Sequence, residues 1–118
     1  MKRTLLVLTA LVVLFGLAHG VRGQVTDART LHGQVVDQQG NQIKGGVVYL
    51  KSLATQIVRS YISDDEGQYR FSGLDPNADY EIHAETADQT SATRKISRYD
   101  DRKDIVLILR VDKKKSDK

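Results

Sequence analysis

Seven short runs, most of them alternating apolar and polar side chains, follow one another along the chain with turn signals between them. They are RTLHGQVVD (29–37), GVVYLKSL (46–53), QIVRSYIS (56–63), QYRFSGL (68–74), YEIHAETA (80–87), SATRKIS (91–97) and IVLILRV (105–111). A period of two is the signature of a half-buried strand. Runs this short, starting roughly every 8–12 residues and rich in Val, Ile, Tyr and Thr, predict an all-β protein: an antiparallel Greek-key β-sandwich of about seven strands. No stretch after the first 23 residues has a helical period. Pro76 falls between runs, where its missing N–H costs no ladder bond.

The alternation assigns faces. Leu31, Gly33 and Val35 point one way. Gly46, Val48 and Leu50 share a face, and Val47, Tyr49 and Lys51 take the other. Tyr69 and Phe71 point together, with Leu74 beyond. Tyr80, Ile82 and Ala84 face inward; Glu81, His83 and Glu85 face outward. The last run is apolar on both faces and reads as the most enclosed strand.

Two turns share one layout, Asp-x-x-Gly: Asp37 to Gly40 and Asp64 to Gly67. An Asp at the first position of a type I turn accepts a hydrogen bond from an N–H two residues on, and the Gly supplies a left-handed backbone. The adjacent acids Asp64, Asp65 and Glu66 also raise calcium binding. An EF-hand loop, however, needs ligands at alternate positions and a distant Glu, which this stretch lacks. Asp37, Gly40, Asp64 and Gly67 are therefore read as structural turn residues.

The chain has 118 residues, one domain's worth. Its start reads as a signal peptide over 1–23: Lys2 and Arg3, an apolar run from Leu5 to Ala18, then small residues. Cleavage after Gly23 or Gly20 fits. The apolar run falls short of the roughly 20 residues that span a bilayer, so no stable membrane span is expected after cleavage. The expected location is the periplasm or the cell exterior. A polar lead, 24–29, precedes the sandwich at 30–111, and a charged mobile tail, 112–118, follows. Removal of the leader takes away Lys2, Arg3 and Arg22, so 18 basic residues become 15, against 15 acidic ones. A net charge near zero argues against nucleic acid as a partner. There is no Cys, so neither disulfides nor lipid attachment through cysteine contribute.

The middle of the chain resembles the carboxypeptidase regulatory-like domain family. The resemblance rests on Gly33, Val35, Asp37 and Gly40; on Ile43, Gly45, Gly46, Val48 and Leu50; on Ser63, Asp64, Gly67, Tyr69 and Phe71; and on Leu74, Pro76, Tyr80 and Ile82. Gly46 stands where the family usually has Ala, and Asn77 where it usually has Gly. The resemblance implies a prealbumin-like, transthyretin-like sandwich related to collagen-adhesin B-type repeats. Some relatives form a Lys–Asn isopeptide bond; the first run here has no Lys and the last no Asn, so none is expected.

Chemistry is sparsely signalled. No Gly-x-Ser-x-Gly elbow is present, and the three His are His19, His32 and His83. Catalytic residues, metal ligands and cofactors are all expected to be none. Glu81, His83 and Glu85 form an outward row that His32 could join if its strand lay alongside. A solvated strand face is the simpler reading, since zinc sites use three or four well-converged ligands. Tyr49 and Tyr61 are the candidate surface-binding residues, because exposed aromatics stack sugars or anchor protein contacts. The leading expectation is a small exported, non-enzymatic accessory or interaction module whose partner is a protein or a glycan. A carbohydrate-binding module is the alternative, and a transthyretin-like hydrolase or carrier a more distant one.

Overall fold

The computed structural model describes residues 28–115. The signal-peptide reading and most of the polar lead lie outside that range, as do the last three residues. Eight strands follow in order: β1 (Arg29–Val36), β2 (Val47–Ser52), β3 (Val58–Ile62), β4 (Gln68–Leu74), β5 (Tyr80–Glu85), β6 (Gln89–Ser91), β7 (Arg94–Ile96) and β8 (Asp104–Lys114). No helix among the described residues is long and apolar enough to cross a membrane. The hydrogen-bonded order is β3-β2-β5-β6-β8-β1-β4, with β7 also on β5. One layer is β4-β1-β8, the other is β3-β2-β5-β7, and β6 carries the pairing from one to the other.

The all-β sandwich expected from the alternation is present, with two departures. First and last strands pair in parallel, Thr30 beside Asp104 through Val36 beside Arg110, so the sheet is not wholly antiparallel. The run 91–97, expected as one strand, belongs to two, β6 and β7. Both lie on β5, at its opposite ends. Between them the chain leaves the ladder, and the Ser91 hydroxyl accepts the Ala84 N–H at 2.9 Å. A side chain thus takes the place of a backbone partner, which keeps a buried donor satisfied.

The core contains the inward positions read from the sequence, Leu31, Val35, Val48, Leu50, Tyr69, Phe71, Tyr80, Ile82 and Ala84, together with Ala78 and Ile96, which the alternation does not assign. Burying an aliphatic side chain of this kind contributes about 1.5–3 kcal/mol. Leu74 is buried as well, although simple alternation from Phe71 points it outward. The β1–β4 register slips between Arg29 and Leu31, and Gly73 has φ +70°, so a bulge returns Leu74 to the core.

β8 corrects an expectation. Ile105, Leu109 and Val111 are buried, but Val106 and Ile108 are exposed on the other face. The strand is central in hydrogen bonding, between β6 and β1, yet enclosed on one side only. It also runs three residues past 111, with Lys113 paired to Thr90 and Lys114 to Gln89, so part of the expected tail is strand.

Gly33 fixes how closely β1 and β8 approach. A Cβ there would fall 1.8 Å from the Leu107 carbonyl oxygen. Tyr69, opposite Gly33 on β4, donates its hydroxyl to that same oxygen at 2.8 Å. The ring therefore reaches past a residue without a side chain to satisfy a carbonyl two strands away. Burial pushes the Tyr69 phenol well above its usual range.

Candidate functional site

The two Asp-x-x-Gly turns are built alike. Asp37 Oδ1 accepts the N–H of Gln39 at 3.0 Å and of Asn41 at 2.8 Å. Asp64 Oδ1 accepts the N–H of Glu66 and of Gln68, each at 2.9 Å. In each turn the Gly N–H donates to the Asp carbonyl, and both glycines have positive φ. Asp64 thus spends a carboxylate oxygen on its own turn, while Asp65 pairs with Lys44 at 3.1 Å, both exposed. The acid cluster is a bend.

Tyr49 and Tyr61 do not share a face. Tyr61 lies opposite Val48, a core residue, and Tyr49 lies opposite Ser60. Residues directly opposite on paired strands point the same way. Tyr61 therefore leans toward the other layer, where it meets Phe71 edge-on at 6.0 Å. Tyr49 sits on the outer face, stacked on His83 at 5.2 Å. A two-tyrosine platform does not form.

The outward row on β5 is knit to its neighbours. His83 Nε2 and Glu85 Oε2 are 2.9 Å apart, and Lys115 Nζ is 3.1 Å from Glu85 Oε1. The hydrogen bond from His83, then that from Lys115, holds the Glu85 carboxyl below its usual range. His83 and Glu85, with Tyr49, Lys51 and Glu81, border a shallow groove of about 300 Å³. His32 cannot join them: β1 neighbours β4 and β8, and His32 lies 3.0 Å from Asp104. Among the described residues, no group of three or more His, Cys, Asp or Glu is placed to hold a metal ion.

Arg29, where the expected polar lead meets the first run, opens β1 and is 4% exposed. Its guanidinium donates to the carbonyls of Ser97, Asp100, Asp75 and Ala78 at 3.1–3.4 Å, tying two loops together. The signal for it is in the alternation that turns Leu31, Gly33 and Val35 inward, since Arg29 has the same parity; its charge conceals it.

The most open element is β3. It ends the strand order, and all five of its residues are exposed. The gap to β4, at the other end, is bridged by side chains. Arg59 Nη1 donates to the Ser72 carbonyl at 3.1 Å, and its guanidinium lies 5.4 Å from the Phe71 ring centroid. The backbone parity of β3 follows from the bonds flanking it. Ser52 N–H donates to Ile57 O, and Ser63 N–H to Gly46 O. In an antiparallel ladder bonded pairs alternate, so Arg59 and Tyr61 turn their backbone groups to β2. Val58, Ser60 and Ile62 turn theirs to the open edge.

The sequence pattern of the carboxypeptidase regulatory-like domain matches residues 30–108. The chain belongs to that family. No curated protein sequence matches it. Among solved structures, catechol 1,2-dioxygenase from Acinetobacter sp. ADP1 superposes with a TM-score of 0.57 at 14% identity, over 79% of this chain and 55% of the enzyme. A streptococcal ancillary pilin gives 0.57 at 16% identity, over 76% of this chain and 34% of the pilin. The dioxygenase domain of a dioxygenase–carbohydrate-binding protein fusion from Streptomyces sp. SirexAA-E gives 0.54 at 9%, over 77% and 85%. At such identities the likeness is one of fold. The chain spans about half the length of the catechol dioxygenase and a third of the pilin.

Proposed function

We propose that the chain is an exported, non-enzymatic accessory module that works by offering its surface to a partner. The observation that carries this reading is β3: an edge strand with every residue exposed and three residues turning free backbone groups outward. An edge of that kind binds extended chains by strand addition, with main-chain bonds giving affinity and alternate side chains giving selectivity. Membership of a regulatory-like domain family and the likeness to a pilin fit the same role. The leader pattern at 1–23 supports export. Expression from Met1 in a bacterial host, fractionation and mass measurement of the product form the test. A chain trimmed near residue 20 or 23 and recovered outside the cytoplasm is expected; an untrimmed cytoplasmic product would sink the export reading.

A glycan is the second reading, and it rests on Tyr49 alone. Tyr49, stacked on His83, borders the groove beside Lys51, Glu81 and Glu85, a mix of aromatic face and polar groups suited to a sugar. On a glycan array Tyr49→Ala should abolish any signal and Tyr61→Ala should leave it, because Tyr61 points to the other layer. A signal dependent on both residues would contradict this placement.

A further inference from the structure

We infer that the partner of β3 is a second copy of the same chain, paired antiparallel about Ser60. This rests on the proposal above that the module acts through its β3 edge.

Three features of the strand point to a covered edge. Free edges are usually guarded by a Lys, a Pro or a bulge. The segment Val58–Ile62 contains no Pro and no Lys, and its pairing with β2 runs unbroken from Val47–Ile62 to Lys51–Val58. Its one charge, Arg59, is turned across the gap to Ser72 and Phe71 rather than along the open edge. Val58 and Ile62 flank the dyad position and are 54% and 67% exposed.

The side chains are complementary to themselves in one register. With Ser60 opposite Ser60 of the second copy, Val58 meets Ile62 and Arg59 meets Tyr61 on both sides of the dyad. Apolar residues then pair on the outer face; on the inner one Arg59, held across the gap to Ser72 and Phe71, stands opposite Tyr61 and no like charges are opposed. The backbone agrees. Val58, Ser60 and Ile62, the residues whose N–H and C=O groups face the edge, would each fall in a hydrogen-bonded pair. Neighbouring registers fit worse. A shift of two residues one way sets Arg59 against Arg59, with like charges opposed. The shift the other way sets Val58 against Asp64. A shift of one residue sets outward groups against inward ones and exchanges the faces. The joint would extend β3-β2-β5 into a sheet continuous across two copies, closed by a two-fold axis.

The test begins with the chain expressed from Met1 and purified in the form the cell leaves. Light scattering over a concentration series should show a reversible dimer; a monomer at every concentration overturns the inference. Ser60→Pro removes an N–H that faces the edge and not β2, and should yield a monomer with unchanged circular dichroism. Should that variant unfold, Val58→Lys carries the same test by setting a charge at the joint. The chain has no cysteine, so Ser60→Cys gives one thiol per copy. A short bis-maleimide should link the Ser60→Cys variant into dimers and leave Tyr99→Cys, on the loop between β7 and β8, unlinked. A dimer that persists in Ser60→Pro and Val58→Lys, or resists linking at position 60, uses another surface and overturns the inference. A monomer that is nevertheless trimmed and exported overturns self-pairing and leaves the accessory reading standing. A dimer that stays untrimmed in the cytoplasm does the reverse.

Discussion

The turns at Asp37–Gly40 and Asp64–Gly67 have nearly superimposable hydrogen bonds, yet they occupy opposite mechanical situations. A Cβ on Gly40 would meet nothing within 4 Å. On Gly67 it would fall 2.7 Å from the Val35 carbonyl oxygen and 3.1 Å from the Ile43 nitrogen. Val35 also donates its N–H to the Gly67 carbonyl at 2.7 Å, and its own carbonyl accepts the Ile43 N–H at 2.9 Å. The preceding residues differ too. Val36 leads into the first turn. Ser63 leads into the second and is buried, accepting the Gly46 N–H at 2.9 Å and donating to the Ile43 carbonyl at 2.6 Å. One local code thus makes a free hairpin tip in one place and a lock between β1, β2 and β4 in the other. Sequence specifies the turn, and surroundings decide what depends on it.

The largest expected effect sharpens that contrast. Gly67→Ala carries the cost of a left-handed residue, roughly 1–2 kcal/mol, and adds a collision with a carbonyl that is already an acceptor. A total destabilisation of about 3–4 kcal/mol is expected from urea unfolding. A loss no larger than that of Gly40→Ala would show that the packing around Gly67 relaxes freely, and the contrast would fail. Ser63→Ala comes next. It leaves the buried Gly46 N–H without its hydroxyl acceptor, which costs about 1–3 kcal/mol. Hydrogen exchange at Gly46 should rise in parallel; unchanged exchange would mean that the hydroxyl is not its protecting group. Gly40→Ala should cost about 1 kcal/mol, the backbone share alone.

What is legible in the sequence is local. Asp-x-x-Gly names a turn because the bonds it makes close within five residues. The inward faces of β2, β4 and β5 are legible because a period of two needs no partner to define it. What escapes the sequence depends on pairing. Whether Tyr49 and Tyr61 share a face is set by the register of β3 on β2, which no residue type announces. The last run is apolar on both faces, yet only one face is covered among the described residues, where Val106 and Ile108 are exposed on the outer side of the β4-β1-β8 layer. The burial of Arg29 is not announced either, because its charge suggests exposure although its parity is inward and four carbonyls accept from its guanidinium. The open β3 edge, which carries the proposed function, becomes visible only with the strand order.

The smallest effect concerns the first turn and its response to pH. The Asn41 N–H, and after it those of Gln39 and Gly40, hold the Asp37 carboxyl below the ordinary aspartate value of 3.8, although partial desolvation opposes them. A carboxylate lowered on folding stabilises the native state fully above the unfolded pKa. That contribution is lost as pH falls through the lower, folded value. Asp37 is open to solvent, so the effect should be slight beside that of Gly67→Ala. Glu85 and Asp100 are also held low, by His83 and by Arg102 respectively, so acid sensitivity of the whole chain cannot be assigned to the turn. Asp37→Asn isolates it, because the amide oxygen can accept the same N–H groups without titrating. Urea midpoints of wild type and variant, followed from neutral pH downward, should differ by a constant amount until about 3.8 and then converge. Parallel curves through the whole range would mean that the turn holds Asp37 no differently folded than unfolded, and that its hydrogen bonds set geometry without favouring the charged form.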